Sequence, residues 1–333
     1  MTDLTYQERF IHILKSHIPG NISLANEISS LLGLSMDSTY RRLRGETDLT
    51  LNEVVKLCHH FDIPLEALNN EMPSVVTFKF NNRLEDEASF LQYLKNIQTD
   101  LERINRFEDK RLFFASEDIP VFHQFSQPAL MAFKMFYWLK SILNIPSLQS
   151  QLFRPDLIKD NLLQTGASIY KTYLQIPSVE VWTEETMLST IRQIRFYWDA
   201  GFFQSAAEAL EVTRELQLMV QQIQKQIEVG KKISLSGSVT NVDYVFYLSD
   251  LMIGTNNILV KAENKMSSYI SYNSFNIMGT GNRFFNEQNE RWMNNLISKA
   301  TLLSGVAEKL RNQFFKGLYK KIEQLNSHIA ENG

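Results

Sequence analysis

Turn formers cut the first seventy residues into five short segments, and that punctuation constrains the fold more than any other feature of the chain. Leu4, Phe10, Ile11, Ile13 and Leu14 keep an approximate 3.6-residue period behind a cap at Thr2 or Asp3, until Pro19–Gly20 stops the run. Ser23 is placed to cap a second helix whose Leu24, Ala25, Ile28, Leu31 and Leu32 face inward. Gly33 then suits a turn that needs positive φ. Ser35 caps a third helix that ends at Gly45. Thr50 caps a fourth, with Leu51, Val54, Val55, Leu57, Cys58 and Phe61 as its buried stripe. "DIP" opens a short fifth helix through Leu68. The region is predicted to be a bundle of small helices.

Residues 69–74, "NNEMPS", carry two Asn, a Pro and no apolar period, and read as a linker. They divide the chain into an N-terminal domain over 1–70 and a larger domain over 75–333. "VVTFKF" (Val75–Phe80) alternates like a strand, and a helix follows from about Leu84 to Ile104. "KRLFFASEDIPVFHQF" mixes a strand-like run with an irregular connection. Residues 156–230 read as successive helices interrupted once by "IPSVEVW". Residues 233–278 are rich in β-branched and aromatic side chains with turns at "GTNN" and "AENK", and predict a small antiparallel sheet. A helix pair near 284–303 and 305–330 closes the chain. The fold class expected is therefore mainly α: a five-helix N-terminal module plus a mostly helical α+β C-terminal domain.

Ile28–Gly45 has the layout of a helix-turn-helix, with Ser29 and Thr39 where two helices approach and Leu34 and Leu43 at their junction. A side chain at position 33 is expected to clash. "SLANEISSLLGLSMDSTYRRLRGE" followed by "TDLTLNEVVKLCHHFDIPLEAL" resembles the phage-repressor-like (lambda-repressor-like) helix-turn-helix family over roughly residues 4–70. That resemblance implies a transcriptional regulator whose third helix, residues 35–44, enters the major groove of double-stranded DNA. Carried over, it marks Ser35, Met36, Asp37, Ser38, Arg41 and Arg42 as reaching base edges, Arg44 as suited to a phosphate, and Ser23 as opening the helix that takes a backbone phosphate. One departure stands out. Arg42 occupies a position usually apolar in the family, and the apolar face runs Met36, Thr39, Tyr40, Leu43. A helix rotated about its axis, with Arg41 as the foremost base reader, is the expectation. In overall layout the chain is similar to pheromone-sensing regulators, although the sheet at 233–278 argues against that closer likeness.

Charge sets the terms of binding. Residues 1–72 hold six cationic side chains against ten carboxylates, a net −4, in a chain of net −3. Such a module attracts a polyanion poorly. Specific affinity is expected from two modules on two half-sites, so the C-terminal domain is read as the homodimerising part and as the candidate receptor of a small-molecule or peptide effector. A helix-turn-helix used for protein contacts is the alternative.

Other chemistries find little support. Cys58, His59, His60 and Asp62 are sequence neighbours that point to different faces, so no metal site is expected. His123 and Cys58 are the only other nucleophile-type residues and show no Ser–His–acid order, and "GTGNRFF" (279–285) lacks the lysine and the strand-to-helix context of a phosphate loop. Adjacent acids, Glu117–Asp118 and Glu184–Glu185, suit a loop or the first turn of a helix. Neither an enzymatic activity nor a cofactor is expected. The aromatic groups Phe133, Phe136, Tyr137, Trp138 and Phe196, Tyr197, Trp198, Phe202, Phe203 read as core, or as a ligand pocket or dimer interface, and Tyr269–Asn276 as a wet sheet face or the polar part of such a pocket. One cysteine, no secretory signal pattern and no apolar run long enough for a membrane predict a cytoplasmic protein.

Overall fold

The computed structural model describes residues 4–17, 23–61, 63, 65, 75–80, 84–273 and 276–332. The chain divides into two compact units: Met1–Phe78 with Asn282–Phe285, and Lys79–Gly281 with Asn286–Gly333.

The first unit is built from α1 (Tyr6–His17), α2 (Leu24–Leu32), α3 (Met36–Leu43) and α4 (Leu51–His60). Each is short, so what defines it is its caps. Ser23, Ser35 and Thr50 accept hydrogen bonds from the backbone N–H of Asn26, Ser38 and Glu53. Thr2 and Asp3 lie outside the described residues, and the cap of α1 is Thr5. Its hydroxyl accepts from Glu8 N, and its own N–H donates to the Glu8 carboxylate at 2.7 Å. The core is Phe10, Leu14, Ile28, Leu57, Cys58 and Ile63. Leu51 and Val55, expected in the buried stripe of α4, are exposed instead, because Leu57 and Cys58 define its inner side. Gly33 has φ 65°, and a Cβ added there meets nothing within 4 Å. The turn needs glycine for its backbone conformation, and the expected clash does not exist. The fifth helix and the linker fall mostly outside the described residues.

The second unit is the mostly helical α+β domain expected, but its sheet, nine-stranded and mixed among the described residues, is larger than the small antiparallel one expected. Its strands are β1 (Lys79–Phe80), β2 (Lys110–Ser116), β3 (Ser178–Trp182), β4 (Lys231–Ile233), β5 (Val239–Leu248), β6 (Asn257–Ala262), β7 (Lys265–Ser271), β8 (Ile277–Thr280) and β9 (Thr301–Leu302). The order is β1-β8-β7-β6-β2-β3-β5-β4, with β9 also on β5. β2, β3 and β5 run parallel, and the β6–β7–β8 meander adds antiparallel strands. "IPSVEVW", which looks like an interruption among helices, is the central strand β3, buried at all five positions. A strand covered on both faces loses the alternation that marks a half-exposed one.

Helices cover the two faces unequally. The main core joins the sheet to α5 (Glu87–Asn105), α6 (Val121–Gln124), α7 (Pro128–Tyr137), α8 (Asp160–Tyr173), α9 (Leu188–Asp199), α10 (Ala206–Val229) and α12 (Glu308–Glu331). The aromatic groups are packing: Phe133 stacks on Phe203 at 5.6 Å and meets Phe153 and Tyr197 edge-on. On the opposite face Ala115 and Val181 pack with Met293 and Leu296 of α11 (Arg283–Lys299). α11 is registered there by Asn289, whose amide exchanges two hydrogen bonds with Asn257 (2.8 and 2.9 Å) and donates a third to Ser268. All three polar groups are buried. Asn289→Ala leaves Asn257 and Ser268 without partners, and chemical denaturation should show a loss of about 1–3 kcal/mol.

Candidate nucleic-acid interface

α3 is an eight-residue helix, and three contacts decide which side of it faces outward. Thr39 is fully buried and donates from its hydroxyl to the Ser35 carbonyl at 3.0 Å. Leu43 packs on the core of the unit. The third contact is Arg42. Its guanidinium lies 3.0 Å from the Glu53 carboxylate and donates to the Ser38 hydroxyl at 2.8 Å, with both charged side chains about 15% exposed (15% and 16%). Glu53 is also the reciprocal member of the Thr50 capping box that starts α4. Burial pushes the Glu53 carboxyl up, and hydrogen bonds from Thr50 and Arg42 outweigh it and hold it below its ordinary value.

Arg42 is therefore a correction to the sequence reading. Position 42 faces inward, and an ion pair with Glu53 occupies it. The helix is not rotated. Met36 and Tyr40, expected on the apolar side, are exposed at 37% and 45%. Ser38 is half-buried and occupied by Arg42.

What remains outward is a stripe of Met36, Asp37, Tyr40, Arg41 and Arg44, with Ser35 at its N-terminal end. Ser23 is likewise exposed at the start of α2. Glu46, in the turn after α3, touches both outer arginines. It accepts from Arg44 Nε at 2.6 Å and from its terminal nitrogen at 3.1 Å, and lies 3.9 Å from Arg41 Nε. The Arg44 hydrogen bond holds the Glu46 carboxyl below its ordinary value and raises the guanidinium. Arg44 thus has a carboxylate where a phosphate was expected.

The sequence reading missed Gln7. From α1 its amide donates to the carbonyls of Arg42 (3.0 Å) and Thr47 (2.8 Å) and accepts from Leu49 N (2.8 Å). One side chain thereby ties the end of α3 and the following turn to the first helix. No local pattern announces a contact across some forty residues, whereas Thr5-x-x-Glu8 and Thr50-x-x-Glu53 are legible capping signals. The Cys58–His60 group does not converge: Cys58 is buried, His59 is exposed, and His60 lies 3.5 Å from Glu27. Among the described residues no cluster of three or more His, Cys, Asp or Glu could hold a metal, and no helix is long and apolar enough to cross a membrane.

Residues 2–76 match the model of the BetR domain, a family of helix-turn-helix-like DNA-binding domains. The match falls within the first unit and says nothing of the other 258 residues. No curated protein and no solved structure shows a significant match to the chain.

The inward role of Arg42 is directly checkable. Arg42→Met strands Glu53 but refills the inward volume with apolar atoms, so chemical denaturation should show a smaller loss than for Arg42→Ala. Arg42→Ala strands Glu53 and should cost about 1–3 kcal/mol.

Proposed function

We propose that the protein is a sequence-specific transcriptional regulator of the lambda-repressor-like kind, whose α3 lies in the major groove of double-stranded DNA. Carrying this reading is the outward stripe of α3, set on a capped support whose sequence matches a DNA-binding domain family. Arg41 is the base reader: it is exposed, and its planar fork fits guanine O6 and N7. Tyr40 and Met36 lie beside it for apolar contact with thymine methyl groups, and Ser35 and Asp37 start the helix where base edges come closest. Arg44 and Ser23 serve backbone phosphates.

The acidic balance of the module implies weak binding by one copy. The second unit is read as the dimerising part and as the seat of any effector, so that two modules meet half-sites about 34–36 Å apart. The protein acts in the cytoplasm and performs no reaction of its own. A second reading, a protein-binding helix-turn-helix, is favoured by Leu51 (71% exposed) and Val55 (37% exposed) on α4. A protein partner that co-purifies stoichiometrically without DNA supports it.

Selection from random duplexes with the full chain should enrich one two-fold-symmetric site, and Arg41→Ala should abolish that enrichment while the melting temperature holds. Absence of any duplex that outcompetes random DNA at moderate salt refutes the proposal. Glu46→Gln removes the carboxylate that competes with the phosphate for Arg44, so the selected duplex should bind the variant more tightly than the parent.

A further inference from the structure

Unexplained polar chemistry is densest in the core of the second unit, around one carboxylate. The pleat of β3 sends Ser178, Glu180 and Trp182 to the face covered by α6 and α8, and Glu180 is fully buried there. Four donors converge on it. His123 Nε2 lies 2.9 and 3.1 Å from its two oxygens, Trp182 Nε1 donates at 2.9 Å, the Tyr244 hydroxyl at 3.0 Å, and the Tyr173 hydroxyl donates as well. An ionised carboxylate only accepts, so the His123 ring must carry its hydrogen on Nε2. Burial pushes the Glu180 carboxyl up, but His123, Lys232 and Tyr173 more than reverse this and hold it at about 2. With two or more donors on each oxygen, the anion is saturated.

Lys232 of β4 is the group this arrangement leaves over. It is fully buried, and its Nζ has no hydrogen-bond acceptor among the described residues. Nζ lies 3.4 Å from the ring centre of Tyr173 and 4.2 Å from that of Tyr244. Those tyrosines already direct their hydroxyls at Glu180, so the lysine meets ring faces and no free oxygen. Ring quadrupoles and the carboxylate beyond them attract an ammonium. Neither replaces the hydration of three N–H groups, and desolvation of a buried ion outweighs such attraction unless hydrogen bonds complete it.

The titratable groups around Lys232 are Glu180 on β3, His123 on α6, Tyr170 and Tyr173 on α8, and Tyr244 on β5. From α10 comes Gln226, uncharged, which accepts from Ile233 N at 3.1 Å. Lys231, next along the strand, points to the other side and pairs with Asp243 at 2.7 Å.

We propose that Lys232 is a proton-release site, so that the second unit folds around a neutral amine in mildly alkaline solution and carries a strained ammonium in acid. Burial lowers this lysine to about 7, against the pull of Glu180. An unfolded lysine keeps its proton to about 10.4. Between those values the unfolded chain binds one proton more than the folded one, so stability rises with pH across the window and is flat below it. Glu180 works in the opposite range: its contribution is complete above roughly 4.3 and is lost as pH falls toward about 2.

The test is a lysine titration of the full chain, labelled with carbon-13 at lysine Cε and followed by NMR from pH 5.5 to 10.5. One signal should titrate near pH 7 and be missing from Lys232→Met, or from Lys232→Arg if the methionine variant does not fold. In parallel, the unfolding constant of the parent, at fixed denaturant, should fall by roughly tenfold per pH unit relative to the variant between about pH 7.5 and 9.5. A Lys232 signal that titrates above pH 9, no lysine signal titrating below pH 9 in the parent, or parallel pH profiles for parent and variant would each overturn the proposal. The DNA reading does not enter either measurement.

Discussion

The pair formed by Arg42 and Glu53 decides what the N-terminal unit can present. Glu53 closes the cap of α4 and, with the same carboxylate, holds the guanidinium on the inner side of α3. With Thr39 buried one turn away, α3 has a single rotational setting, and the outward stripe follows from it. Gln7 fixes the far end of the helix by holding the carbonyl of Arg42 and the turn at Thr47 and Leu49. A part-buried ion pair is a costly substitute for an apolar plug. Here each member carries a further hydrogen bond, Arg42 to the Ser38 hydroxyl and Glu53 from Thr50 N, while the buried Arg42 Nε has no partner among the described residues.

Three arginines in a row of four residues thus have three different fates. Arg42 is structural, Arg44 is held by Glu46, and Arg41 is the most available of the three. That division accords with an acidic module: it carries few cations, and all three of these arginines have a carboxylate within 4 Å. A surface of this kind discriminates poorly by charge alone, so its recognition must rest on shape and hydrogen bonding at a small number of positions.

Much of the first unit was legible in the sequence because its signals are local. Ser23, Ser35 and Thr50 at helix starts, and Gly33 at the turn, each act within four residues of chain. Position 42 was misjudged for the opposite reason: an arginine reads as solvent-facing until its partner, eleven residues away on another helix, is known. The helices of the second unit were equally readable, down to the closing pair. The sheet was not, since β2 and β3 are short, covered on both faces and separated by three helices, so their pairing leaves no periodic trace. Glu180 shows the limit most plainly. "IPSVEVW" reads only as an interruption among helices, and the convergence of α6, α8, β4 and β5 makes Glu180 the centre of the core.

The side of α3 that meets DNA is the central claim, and arginine side-chain NMR reads it residue by residue. Nε–Hε signals of the full chain should be followed as the selected duplex is added. The Arg41 and Arg44 signals should shift strongly as their environment changes from solvent and Glu46 to DNA, while Arg42 stays in place. Movement of Arg42 with the duplex, or an Arg41 signal that ignores it, would contradict the setting of α3 described above.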